Sequence, residues 1–356
     1  MAAVTDSHET VGLKANAVNL WGDFVVSIAN VAPSSSVAFT LVLLVGFTGF
    51  SSPLAVLIVG IAMFLVSMGY AALNRWKPSA GAPYVWVGEA INPTVGYGTG
   101  FLNSLTSTLA NVGNITLAGT YLLFVITPTH TFAKPITWLV ATAIMGILLW
   151  LAIRGIRPTV WVQIAFVVIE YTAVIAFVIL ALIHEASGQG GATLPSLSDF
   201  TVARVVGDVG GFKGLAEAAV VCGFLYLGWE APAVLGEEST KAKINPGRAM
   251  MLGTGFLTVW YTFLIVLIPY LANSSANRAI GYVISATGML GLFMYFVIAL
   301  SSVWFYRSEV GRGVGAVLAR VVLPLVGGLF MGLIFLQHRI IEELTRKVEN
   351  LERKGR

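Results

Sequence analysis

At 356 residues, with 57% hydrophobic and only 11% charged residues and a mean hydropathy of +0.84, the chain lies far below the ~25% charged share of a soluble domain, which excludes a soluble enzyme. The formal charge of +4 is carried between apolar runs, where it reads as a topology signal and excludes a nucleic-acid partner. The single cysteine, Cys222, lies within an apolar run; it excludes a disulfide framework and is expected to be structural.

Repeated apolar runs of helical length, without ten-residue alternation, predict an all-α membrane protein rather than a barrel. Met1 to Lys14 is polar, and no cleavable signal peptide is expected. Nine spans are predicted: Ala17 to Thr48, Pro53 to Leu73, Gly96 to Ile126, Pro135 to Ile153, Val160 to Ile183, Gly214 to Leu235, Ala249 to Leu271, Ile280 to Tyr306 and Leu318 to Leu336. With the amino terminus cytoplasmic, the inner segments and adjoining span ends hold Lys14, Arg75, Lys77, Arg154, Arg157, Lys241, Lys243, Arg248, Arg307, Arg312 and Arg320. The outer loops hold only Lys134, Arg204, Lys213 and Arg278, in line with the positive-inside rule. The expected location is therefore the cytoplasmic membrane, with a single transmembrane domain over 1–336 and a charged tail at 337–356. The tail spaces Ile340, Ile341, Leu344, Val348 and Leu351 as an amphipathic helix, which either lies on the membrane, pairs with another helix or frays in solvent. Nine spans would put this basic tail outside, against the same rule.

Two spans are interrupted. Ala17 to Thr48 exceeds the roughly 20 helical residues that a hydrocarbon core of about 30 Å needs, and Asn30-Val31-Ala32-Pro33-Ser34-Ser35-Ser36 breaks it at the middle. Proline removes a donor and the serines can satisfy freed backbone groups; a simple proline kink is the alternative. The sixth span carries Gly223-Phe224-Leu225-Tyr226-Leu227-Gly228-Trp229-Glu230-Ala231-Pro232. Paired interruptions in two halves point to a transporter site built on inverted repeats.

The residues also resemble a known family. Pro78-Ser79-Ala80-Gly81-Ala82-Pro83-Tyr84, Arg154-Gly155-Ile156-Arg157, Gly228-Trp229-Glu230, Gly236-Glu237-Glu238 and Asn245-Pro246-Gly247-Arg248-Ala249 are similar, in order and spacing, to the amino acid/polyamine permeases of the amino acid–polyamine–organocation superfamily. The resemblance covers about Ala15 to Leu271 and, more loosely, Ile280 to Leu336. It implies the leucine-transporter-type inverted repeat, with discontinuous first and sixth helices, a first repeat at about 15–184 and a shortened second half at about 212–336. Segments like the family's spans eight, nine and twelve are not found. The implied activity is secondary active transport of amino acids or related amines by alternating access, with protons or a counter-substrate as partners. The alternative is a permease-like protein that binds amino acid without moving it, as a sensor or partner-dependent fragment; the absent spans favour that reading, and the intact pair of breaks favours the transporter. An oligomer is compatible with either.

A zwitterion needs donors for its carboxylate and acceptors for its ammonium. The half-helix starting near Ser35 offers unpaired N–H groups at the positive end of its dipole, and free carbonyls around Ile28 and Leu227 suit the ammonium. By resemblance, Ala32, Ser34, Ser35 and Ser36 form the substrate cradle beside Gly228, and Trp229 is the aromatic cover, with Tyr226 a weaker candidate; a core tryptophan is the alternative. Asn103, Thr106, Ser107, Asn111 and Asn114 make a polar stripe on the third span, either lining the path, with Asn103 and Asn111 touching substrate, or serving helix packing. Three acids stand out inside spans: Asp23, Glu170 and Glu230. A buried carboxylate is protonated, paired or wet, so these are the proton-coupling or gating candidates, Glu170 foremost, with a hydrogen-bonded scaffold role as its alternative. Glu237, Glu238 and Arg248 form either an inner gate or a solvated cluster. No cofactor or metal is expected. The histidines, His8, His130, His184 and His338, lie in loops or at span ends and no hydrolase or phosphate-loop motif is present, so the chain is read as no enzyme.

Overall fold

The computed structural model describes residues 15–48, 52–126, 134–153, 156–186, 211–267, 314–329 and 332. Among them there is no β-strand, and the helices are α1 (Leu20–Ala29), α2 (Pro33–Thr48), α3 (Ser52–Trp76), α4 (Ala82–Ala90), α5 (Pro93–Ile126), α6 (Lys134–Ile153), α7 (Ile156–Ala186), α8 (Gly211–Leu225), α9 (Asn245–Leu267) and α10 (Val314–Val317). The predicted span Ile280 to Tyr306, the outer charges at Arg204 and Arg278 and the amphipathic tail lie outside the described residues. By length and composition, Ser52–Trp76 and Asn245–Val266 are each sufficient to cross a membrane.

The first break has a local cause. In a continuous helix residue 33 would donate to the Ala29 carbonyl, but proline has no N–H; Ala32 N takes that carbonyl instead, at 2.9 Å. Ala32 sits at φ +47°, a conformation that its β-carbon disfavours, and the chain then restarts as α2. The unwound stretch is shorter than expected. Only Asn30 to Ala32 leave the helix, because the fixed φ of Pro33 suits the first helical position and Ser34 to Ser36 already belong to the first turn of α2. Ser36 Oγ donates back to Val31 O at 2.6 Å.

The second break follows α8. Leu227 N turns to Phe224 O, Gly228 adopts φ +115°, and Ala231 N takes Gly228 O before a short 3-10 helix, Ala231–Leu235, begins with Pro232 in its first turn.

A central pair, α3 and α9, holds these breaks in place. A β-carbon on Gly247 would fall 3.0 Å from the Ala71 Cα, so the two helices touch at backbone distance. Tyr70, Trp86, Trp229, Tyr226, Tyr261 and Met63 fill the core around them, all fully buried. Facing away from it, α6 and α7 expose Trp138, Leu139, Ile147, Trp150, Trp161 and Phe166, the apolar outer surface that suits a hydrocarbon solvent.

Helix α4 was not foreseen between the second and third spans. Pro83 near its start favours the first turn, and α4 folds back on α5 where the β-carbon position of Gly96 lies 2.5 Å from Gly88 Cα. Gly96→Val is therefore expected to lower thermal stability by about 1–3 kcal/mol, the usual cost of overpacking where backbone cannot yield. Unfolding of the purified protein in detergent, read by tryptophan fluorescence, checks this; an unchanged midpoint would disprove the tight crossing.

Candidate functional site

The two unwound joints lie side by side. Asn30 Nδ2 donates to the Gly228 carbonyl at 3.3 Å, and the buried Ser27 Oγ donates to the Trp229 carbonyl at 2.7 Å. The Ser27 bond gives the Trp229 carbonyl a donor in place of Ala233 N, which bonds to Glu230 O instead, and the Asn30 bond adds a second donor to the Gly228 carbonyl beside Ala231 N. Glycine makes the approach possible twice. A β-carbon on Gly228 would lie 2.8 Å from the Asn30 carbonyl oxygen, and one on Gly253 of α9 would collide with Ser27.

Between the joints and α5 is a cavity of about 140 Å³. The first joint contributes Asn30 and Val31 and the first turn of α2 Ser36; the last turn of α8 contributes Phe224 and the second joint Leu227, Gly228 and Glu230. Asn103, Thr106, Ser107, Ala110, Asn111 and Asn114 of α5 complete the lining, a spacing that puts all six on one helical face. Thr106 Oγ1 is buried without a hydrogen-bond partner among the described residues. Glu230 Oε2 accepts Gly228 N at 3.1 Å, and among the described residues Glu230 is the one ionisable residue in the lining. The described lining thus presents amides, hydroxyls and a carboxylate.

A family model for amino acid permeases matches residues 18–346. The chain belongs to the amino acid permease family. Similar curated proteins are the low-affinity putrescine importer PlaP of Escherichia coli K12 and that of E. coli O157:H7, each 24% identical over 225 residues, covering 62% of this chain and 47% of the relative. The permease thus spans about half the length of the curated relatives it matches. Membership assigns it to the membrane and to a family of transport proteins rather than enzymes.

Other expected site residues of the permease lie as follows. Ala32 is at the first joint; Ser34 and Ser35 are in the first turn of α2. Because Ala32 N bonds to Ala29 and Ala231 N to Gly228, the Ile28 and Leu227 carbonyls accept neither of those bonds; Leu227 lines the cavity while Ile28 is buried in the core. Trp229 and Tyr226, expected beside substrate, are not among the described residues that line the cavity. Trp229 is buried with its ring 4.8 Å from that of Tyr70, and the Tyr226 hydroxyl donates to Val56 O at 3.2 Å. Phe224 is the aromatic on the cavity wall.

The acids separate in space. Glu230 is at the cavity, whereas Glu170 is half-buried on α7 beside Tyr171, whose ring meets Trp260 at 4.8 Å. Asp23 is fully buried in the first turn of α1, where Oδ1 accepts Ser239 Oγ at 2.7 Å and Oδ2 has no hydrogen-bond partner among the described residues. The same end of α1 is tied to the connection after the 3-10 helix: Ala17 N donates to Glu238 O and Thr240 N to Val18 O, both at 2.7 Å. Glu237 Oε1 accepts Ala80 N at 3.0 Å. Asn30 and Phe224 were missed as site residues; an asparagine ending a helical run reads as a cap, and its reach across to Gly228 has no sequence signal.

Proposed function

We propose that the protein is a secondary transporter for small amine-bearing substrates, amino acids or amines, with the ammonium held at Glu230 between the two helix breaks. The observation that carries this reading is the cavity, in which Glu230 supplies the only ionisable side chain among the described residues. A charge-assisted bond from an ammonium to a carboxylate is stronger than a neutral one, and the carbonyl oxygens of Asn103, Asn111 and Asn114 can accept further N–H groups. A substrate carboxylate would meet the first turn of α2, where unpaired N–H groups and the positive dipole end favour an anion. The similarity to a putrescine importer supports an amine among the substrates.

Alternating access needs an element that opens. The backbone ties between Ala17–Val18 and Glu238–Thr240, with the buried Asp23–Ser239 bond, form the proposed closure at one end of the path, and Glu170 is the proposed proton-coupling residue. The test is uptake of radiolabelled putrescine and a labelled amino acid mixture into proteoliposomes, with and without an inward proton gradient. Gradient-stimulated uptake is expected, and Glu170→Gln, which keeps size and removes the charge, is expected to abolish the stimulation while leaving substrate binding in detergent unchanged. Equal stimulation in the variant would remove Glu170 from the coupling; no uptake and no binding of any amine would refute the transporter reading.

A further inference from the structure

One face of α1 carries three polar side chains at helical spacing, Asp23, Ser27 and Asn30, and all three bond to the stretch that follows α8. Ser27 and Asn30 hold the cavity end. Asp23 holds the other, about 10 Å away along the axis at a rise of roughly 1.5 Å per residue, where Ser239 Oγ donates to its Oδ1. The second carboxyl oxygen, Oδ2, is buried and meets no donor among the described residues. The elements packed against α1 are α7, α9 and the 3-10 helix. On α7, Val160 lies over Gly22 of α1, and Glu170 and Tyr171 are about 15 Å further along that helix. On α9, Arg248 is exposed and Tyr261 packs on Tyr226. In and beside the 3-10 helix, Glu230 lines the cavity, Glu237 accepts Ala80 N, Glu238 meets α1 through its backbone carbonyl, and Lys241 and Lys243 are exposed. Among the described side chains, the one that answers Asp23 is therefore the neutral Ser239.

An ionised carboxylate with one oxygen unpartnered and shut away from water is costly, and the neutral carboxyl is far less so. Opening reverses the balance. Water then reaches Asp23, and the positive end of the α1 dipole, in whose first turn it lies, favours the anion. An alkali cation could also neutralise the group, but a hard cation needs a shell of oxygens, and the cluster at this end of α1 is Val18, Val26, Val160 and Leu235. We propose that Asp23 is a proton-binding site built into the closure: Oδ2 carries the proton while the ties to 238–240 are made, and when they part the O–H bond breaks and the proton passes to water at that end of the path. Because α1 is one continuous ten-residue helix, the same proton bears on the Ser27 and Asn30 contacts at the cavity. The inference rests on that closure and not on whether the cavity moves substrate.

The test is the distance between spin labels on Ala15→Cys and Lys243→Cys, exposed positions on the two sides of the ties, in the purified full chain without substrate, from mildly acidic to mildly alkaline pH. Cys222 is buried and stays unlabelled. The closed form holds one more proton, so raising the pH should favour the open form, with longer distances, and the open-to-closed ratio should change by up to about tenfold per pH unit. Asp23→Asn, which imitates the neutral carboxyl and keeps an oxygen for Ser239 Oγ, should stay closed and lose the pH response. Asp23→Ser should lose the response too, so misfolding of one variant leaves the other to decide. The infrared difference between wild type and Asp23→Asn at acidic pH should contain the carbonyl stretch of a protonated carboxyl, fading as the labels part. A distance in the wild type that ignores pH, an equal response in either variant, a carboxylate band in the closed form, or dependence on sodium in place of pH would each overturn the assignment. Uptake that fails while the pH response persists would instead remove the transporter reading and leave the proton site standing.

Discussion

Gly228→Ala is expected to weaken substrate binding by about 10- to 100-fold while leaving a folded, monodisperse protein. Two costs combine at this position. A backbone at φ +115° is strained for any residue with a β-carbon, by about 1–3 kcal/mol, and every 1.4 kcal/mol is roughly a tenfold change in affinity. The added methyl would also lie 2.8 Å from the carbonyl oxygen and the Nδ2 of Asn30. The side chain of Asn30 can rotate away, but its backbone cannot, so the first joint must move off the second and the cavity between them deforms. Combining Gly228→Ala with Asn30→Ala separates the two contacts. If the backbone conflict dominates, the double variant stays defective; recovered binding would show that only the amide was displaced. Equilibrium binding of labelled putrescine or amino acids in detergent reads both.

The second large effect is at Glu230. Glu230→Gln keeps the shape and retains an oxygen to accept Gly228 N, now 3.1 Å from Oε2, so the joint should hold its geometry. What disappears is the charge. A hydrogen bond to a charged group contributes about 1.5–3 kcal/mol, which predicts a roughly 10- to 150-fold rise in KM or Kd for an ammonium substrate. Glu230→Asp, which restores charge on a shorter stem, should recover part of the loss. An unchanged KM in Glu230→Gln would locate ammonium recognition elsewhere, on the asparagine face of α5.

Much of this arrangement was legible before any coordinates. Pro33 and Pro232 mark the breaks because proline has no N–H to give a helical ladder, Gly228 because it alone tolerates a positive φ without strain, and the α5 stripe from Asn103 to Asn114 was visible because an unbroken helix keeps its period. What was not legible depends on chain segments meeting. Asn30 acts through a glycine remote in sequence, Trp229 faces the core because an unwound chain points side chains by no fixed rule, and α4 is a nine-residue helix, too short for a hydropathy window.

The bonds that join the breaks also impose an order on biogenesis. Ser27 and Trp229 are 202 positions apart, and Asn30 and Gly228 are 198. At synthesis rates of about 5–20 residues per second, the first half-helix waits on the order of 10–40 s for its partner to leave the ribosome. Through that interval Ser27 can bond only within its own helix or to transient neighbours, and the kinked segment must be tolerated by the insertion machinery as an unfinished edge. The cavity is thus absent from the early membrane intermediate and arises only when α8 and the second joint arrive, which ties ligand recognition to the completion of assembly.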